Sequence, residues 1–241
     1  MRKFMVALGS VAVLAAPLVH ADVFGVGASV NYWHSDFTGE FARNNSLVDV
    51  DEQLNLDNDS NANATVYLEH PVPLIPNVRL NYTLVQQSGR GNLDTGYDGV
   101  TGKVNSELDL EQLDLTLYYE LLDNWINLDL GLTVRDFSAE LLVQGEAPQQ
   151  TSETTVDAVL PLGYAAARFD LPFSGLSLGA EVNAIGYNGD SVYDVNAYGQ
   201  YTVSLLQLRA GYRQMAIDYE DGDDRLDVEL SGPFASIGLA F

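Results

Sequence analysis

Between Leu113 and Val134 every second residue is apolar: Leu113, Leu115, Leu117, Tyr119 and Leu121, then Ile126, Leu128, Leu130, Leu132 and Val134. A repeat of two is the period of a β-strand. Leu122-Asp123-Asn124-Trp125 divides the run and is short enough to turn a hairpin. Pairing Leu121 with Ile126 sets Tyr119 opposite Leu128 and Leu117 opposite Leu130, so every aliphatic strand residue falls on one face. The other face carries Asp114, Thr116, Tyr118 and Glu120 against Thr133, Gly131, Asp129 and Asn127. A hairpin that is oily on one side and wet on the other suits the wall of a transmembrane β-barrel, with lipid outside and a polar interior.

The start of the chain agrees with that destination. Met1-Arg2-Lys3 is positive, Phe4 to Leu18 is mostly apolar, and Val19-His20-Ala21 ends on a small residue. This pattern predicts a secretory signal peptide over residues 1–21 and a mature chain over 22–241. The apolar run is shorter than the ~20 residues a spanning helix needs, and Pro17 interrupts it. No later stretch is continuously apolar, so any membrane crossing falls to strands. Loss of Arg2 and Lys3 takes the formal charge from −23 to −25, which argues against nucleic acid as a partner. The chain has no cysteine, so a disulfide framework and a thiolate-bound metal are excluded.

Alternation recurs along the mature chain. Strands are expected at Val23–Trp33, Ala62–His70 and Val78–Gln87, then over the two arms of the long hairpin from about Ser106 to Val143. A sixth is marked by Val156 to Ala166, with further strands at 176–184, 193–203, 206–213 and 225–241. Polar runs at 34–61, 88–105 and 144–153 read as long external loops. Pro71 to Asn77, Asp170 to Gly175 and Ser204-Leu205 read as tight turns. The count is ten, an even number that returns the chain to its starting side and puts both termini in the periplasm. Patterning is poorest in the second and tenth strands, which leaves eight as the alternative.

The last residues, Ala235-Ser236-Ile237-Gly238-Leu239-Ala240-Phe241, alternate and end on an aromatic carboxyl terminus. This resembles the assembly signal of bacterial outer-membrane barrels, and implies the barrel-insertion machinery as a partner of the strand ending at Phe241. Further segments carry the resemblance: Leu-Glu-His-Pro at 68–71, Leu-Tyr-Tyr-Glu-Leu-Leu-Asp-Asn-Trp at 117–125 and Ala-Arg-Phe-Asp-Leu-Pro-Phe at 167–173. With them the chain is similar to the small proteobacterial outer-membrane β-barrels of unassigned function, neighbours of the OmpW-like barrels. That resemblance implies an all-β antiparallel barrel in the outer membrane with its lipid and lipopolysaccharide; the chain is expected to be a monomer.

Candidate functional residues fall into three groups. On the wet face, Arg79, Arg135, Arg209 and Arg213 share the lumen with Asp114, Glu120, Asp129, Glu181 and Asp194. Charges in a narrow interior must pair, so they form either a selectivity constriction or a structural ion-pair network. Arg168 falls on the outward phase and is read as snorkelling. Higher up the hairpin the faces exchange character. Leu108, Leu110, Phe137, Ala139 and Leu141 turn inward, as an apolar mouth or a core for loop packing. Glu107, Asp109, Glu111, Asp136 and Glu140 turn outward, with Gln112 opposite Arg135, Glu111 opposite Asp136 and Glu107 opposite Glu140. Calcium or magnesium shared with lipopolysaccharide phosphates is the cofactor that edge would take. The mature chain has two histidines, His34 and His70, at opposite ends of the wall, and no nucleophile motif beside them, so an enzyme is not expected. A narrow passive channel or a conduit for small hydrophobic molecules is the leading expectation; a structural or surface-interaction barrel is the alternative.

Overall fold

The computed structural model describes residues 24–43, 46–57, 61–72, 74–146, 150–221 and 224–241; the expected signal peptide lies outside them. The strands are β1 (Gly25–Trp33), β2 (Asp36–Arg43), β3 (Ser46–Asp49), β4 (Leu56–Asp57), β5 (Asn61–Glu69), β6 (Asn77–Tyr97) and β7 (Val100–Asp123). They continue as β8 (Ile126–Gly145), β9 (Thr151–Asp170), β10 (Leu176–Tyr187), β11 (Asp190–Val203), β12 (Leu206–Asp221) and β13 (Asp224–Ala240). Ten of these, β1 and β5 through β13, follow one another around a closed antiparallel barrel. Closure is made by β1 against β13, from Gly27 opposite Ala240 to Trp33 opposite Phe234. Phe241 extends it, exchanging hydrogen bonds with Val26 at 2.8 and 3.2 Å. The first described residue, Phe24, and Phe241 therefore lie at one end of the barrel, the terminal end; the long connection between β1 and β5 lies at the other, the loop end.

Alternation builds the wall as the sequence requires. On β7, Leu113, Leu115, Leu117, Tyr119 and Leu121 face out and are exposed, while Asp114, Thr116 and Tyr118 between them are buried. The belt on this strand stops at Leu113, above which the outward residues are Glu111, Asp109 and Glu107. From Leu113 to Leu122 is about ten residues, the length a tilted strand needs to cross a ~25 Å apolar band. Exposed aromatics sit at both rims: Tyr32, Tyr82 and Tyr212 toward the loop end, Trp125, Tyr201 and Phe241 toward the terminal end.

Much of what the sequence marks as loop is strand. Most of the run 88–105 belongs to β6 and β7, which turn only at Asp98-Gly99, and most of 144–153 belongs to β8 and β9. The period of two persists there with its phase inverted, apolar inside and polar outside, so a search for an oily outer face passes over it. The run 34–61 is also largely ordered. β2 continues β1 up the side of β13, from Asp36 opposite Ser231 to Ala42 opposite Arg225, and β4 continues β5 along β6. Between them, β3 and a single π-helical turn at Val50–Leu54 fold inward. Asp49 caps that turn by accepting the Glu52 N–H at 2.7 Å.

The organising hairpin carries a register correction. Above a one-residue bulge between Glu120 and Leu122 the pairing stands two residues from the expected one, so Asp114, not Gln112, lies opposite Arg135. Gln112 meets Phe137, Leu110 meets Ala139 and Leu108 meets Leu141. Outside, Asp109 meets Glu140, while Glu111 meets Ser138, Leu113 meets Asp136 and Glu107 meets Leu142. A slip of two leaves each residue on its face and changes only its partner.

Gly89 and Gly91 on β6 admit the inward-folded loop, because a Cβ on either would collide with backbone of residues 53–55. Gly91→Val is expected to expel the Val50–Leu54 turn, cost about 1–3 kcal/mol and leave the barrel folded. Limited proteolysis over residues 46–57, with unfolding in urea, checks it.

Candidate functional site

The interior of a ten-stranded barrel is a stack of layers, each set by which strands deliver which side chains at a given height. Nearest the middle, Arg135 of β8 lies directly across the ladder from Asp114 of β7 and grips it with Nε and Nη2, both at 2.8 Å. The same Nη2 spans the lumen to Oδ2 of Asp194 on β11 at 2.8 Å. Asp194 also accepts two bonds from Arg213 of β12, at 2.9 and 2.7 Å. This Asp–Arg–Asp–Arg chain is buried at every member, with Arg135 only 1% exposed. Closer to the terminal end, Glu181 of β10 takes Arg79 at 2.7 Å and Arg209 at 3.3 Å. Each outer guanidinium has an aromatic companion: Arg213 lies 4.7 Å from the Trp33 ring centroid and Arg209 4.5 Å from that of Tyr198.

Seven of the nine lumen residues picked from the sequence thus form ion pairs. Glu120 and Asp129 do not. They face each other across β7 and β8; Glu120 accepts the Asn77 amide at 3.1 Å, and both line the space below the ion pairs. Arg168 is a correction. The even residues of β9, from Leu162 through Tyr164 to Arg168, are the ones that turn inward, and Arg168 pairs with Asp170 at 3.0 Å.

Above the ion pairs two apolar clusters occupy the lumen, with Ser35, Asn61 and Gln87 buried and hydrogen-bonded beside them. Trp33, Val85, Leu110, Phe137, Met215 and Leu230 form one cluster, with Ala139 packed on it. Over this sits a second cluster, in which Val48, Val50, Leu54 and Leu56 from the first loop meet Leu93, Tyr97, Val100, Val104 and Leu108, with Leu141 beside them. The inward residues of the upper hairpin do form an apolar face, and the first loop fills it. Sequence reasoning missed this cap because Asp and Asn dominate the run. Its signal was present in Val48, Val50, Leu54 and Leu56, every second or fourth residue within that polar stretch.

Beside and below the ion pairs, which line its upper part, the lumen opens into a cavity of about 290 Å³. It runs from Trp33 and Arg213 to Glu120, Asp123 and Asn127 beside the terminal-end turns, and is lined mostly by polar side chains with Tyr67, Tyr118, Tyr164 and Tyr198 among them. Filled layers on one side and this vestibule on the other make a blind pocket.

On the outer wall, Glu107, Asp109, Glu111, Asp136 and Glu140 project from β7 and β8 above the belt. Asp109 accepts the Gln86 amide at 2.8 Å. Among the described residues no three carboxylates or imidazoles converge on one point. His70 belongs to the turn after β5: its Nδ1 accepts the Val72 N–H at 3.2 Å and its Nε2 lies 3.3 Å from the Pro76 carbonyl. His34 sits at the other end of the wall, where β1 passes into β2.

No family model and no curated protein sequence matches this chain. Among solved structures it is similar to the outer membrane protease OmpT from Escherichia coli, at 8% identity over 91% of this chain and 97% of that one, with a TM-score of 0.54. The translocator domain of the autotransporter NalP from Neisseria meningitidis aligns at 11% identity over 92% and 90%, with a TM-score of 0.47. A Pseudomonas aeruginosa FadL homologue aligns at 12% identity over 91% and 90%, with a TM-score of 0.38. The first likeness shows the fold: a closed antiparallel barrel of the outer-membrane kind.

Asp194 holds two arginines at once, so removing its charge leaves both under-compensated in a buried layer. Asp194→Asn is expected to cost about 3–5 kcal/mol, read as a lower urea midpoint for the refolded barrel.

Proposed function

We propose that this chain is a monomeric, integral outer-membrane barrel that acts at its loop end through an acidic outer rim, and is not an open pore. The observation that carries the reading is the filled lumen. Two apolar clusters lie in series between the loop end and the vestibule, and the ion pairs that line the vestibule narrow the lumen beneath them. Barrels of this size are normally filled by side chains, and the inner arginines spend their charge on carboxylates within the wall. In this reading the termini and the vestibule face the periplasm, and the strand ending at Phe241 is what the barrel-insertion machinery engages.

The outer surface supplies what the lumen does not. Glu107, Asp109, Glu111, Asp136 and Glu140, together with Glu153 and Asp157 of β9, line the wall just above the apolar belt. At that height they meet the phosphate layer of lipopolysaccharide, where divalent cations or the cationic groups of another protein are the natural counter-charges. Catalysis has no place in this reading, since His70 is held within its turn and His34 lies at the opposite end.

A second reading, a conduit for small molecules, is favoured by one observation: the blind vestibule already penetrates to the Trp33 cluster. A conduit would require the cap to leave. Single-channel conductance of residues 22–241 in a planar bilayer, with and without residues 46–57, separates the two. Silence from both forms is expected. Discrete openings from the intact chain would overturn the sealed reading, and openings confined to the deletion would favour the conduit.

A further inference from the structure

The barrel wall is complete through the apolar belt and incomplete above it, with its longest unpaired stretch among the described residues on β9. β9 pairs with β8 over nearly its whole length, from Phe169 opposite Ile126 to Thr151 opposite Gln144, with no register shift. On its other side it pairs with β10 only from Asp170 to Gly163. β10 continues to Tyr187 bound to β11 alone. The stretch from Thr151 to Leu162 is therefore a free sheet edge among the described residues.

Which backbone groups that edge presents follows from the strand alternation. The Gly145 N–H donates to the Gln150 carbonyl at 2.8 Å, and the Asp170 N–H donates to the Trp125 carbonyl at 2.9 Å. Even-numbered residues of β9 thus turn their peptide groups toward β8, and odd-numbered ones turn theirs to the edge. Pro161 is odd, so its missing N–H is on the open side, where a proline costs the ladder nothing. Two residues before the β10 pairing begins at Gly163, it marks where the wall parts. Thr151, Glu153, Thr155, Asp157 and Val159 present unpaired N–H and C=O groups from there upward, and their side chains all face out.

We infer that this edge is a docking site for an extended, cationic polypeptide segment that adds to β9 as a further strand. The unpaired peptide groups supply hydrogen bonds for strand addition. Glu153 and Asp157 on the edge and Asp136 and Glu140 on β8 supply the charge; among the described residues the outward face of these two strands above the belt holds no Lys or Arg. Val159, 67% exposed, offers an apolar contact at the lower end. A second copy of this chain fits poorly, because Glu153 and Asp157 would meet their own kind across the new ladder. The inference deepens the surface-acting reading by naming its partner's chemistry, and does not depend on whether the lumen conducts.

The test uses the refolded barrel in nanodiscs and a labelled twelve-residue peptide of alternating Thr and Lys, with binding read by fluorescence anisotropy. A control probe has alternate backbone amides N-methylated, which keeps its charge and abolishes pairing. The expected result is that the methylated probe binds at least about tenfold more weakly. Thr155→Pro, which removes one edge donor in the manner of Pro161, is expected to weaken the unmodified probe similarly. Glu153→Lys with Asp157→Lys is expected to weaken it too, with each variant's folding checked by its resistance to detergent before heating. Equal binding of the two probes would overturn the inference by reducing it to charge attraction, and so would a folded barrel that captures neither. Concentration-dependent dimerisation through β9 would overturn the choice of a cationic peptide over a second copy. Conductance from a barrel that still discriminates the probes would sink the sealed-lumen reading and leave the edge site standing.

Discussion

Within a bilayer a peptide group has no water to bond with, so each N–H and C=O at that depth needs a partner from the chain itself. Everything else in this molecule is arranged around that demand. It explains why the ladder between β1 and β13 runs on through the terminal Phe241, and why a strand may stand unpaired only from Pro161 upward. Opposite Pro161 is Val134, where the unbroken apolar run on the outer face of β8 ends; the next outward pair is Asp136 with Val159. The wall parts where lipid gives way to water.

Closing ten strands fixes the circumference, and the circumference fixes how much interior must be filled. The chain fills it in two manners. In the depth of the belt it uses arginine and carboxylate, because the inner face there is already polar and alternation leaves the apolar residues to lipid. Above the belt the outer face meets water and the inner face is free to be oily, so Leu108, Leu110 and Phe137 pack on Val85, Trp33 and the cap. The inversion of phase along a single strand is the change of solvent outside the barrel, written on both faces.

Strand number, faces and turns were legible because a period of two assigns every residue a side. Partners were not. The hairpin shows why: Leu121 facing Ile126 and the observed pairing differ by two residues, a slip that preserves every side and so leaves no mark on the pattern. Arg135 was correctly placed inside, yet its bond to Asp114 depends on a bulge at Glu120–Leu122 that no residue type announces. The cap was hidden for a different reason. Val48, Val50, Leu54 and Leu56 gain their meaning only from Leu93, Val100, Val143 and Val228, residues remote in sequence. Arg168 was misplaced because the outward face of β9 is small, with Gly163, Ala165 and Ala167, and its larger residues point in.

The first loop leaves the barrel between its first two strands, yet the surfaces that hold it belong to β6, β7, β8 and β13. Its docking site does not exist until the final strand is in place. Order of assembly is thereby built into the topology: an incompletely inserted barrel has its lumen uncapped, and the inward fold of residues 46–57 is an event that only completion permits. The cap is then a record that the cylinder has closed, carried at the end of the molecule opposite the carboxyl terminus that completed it.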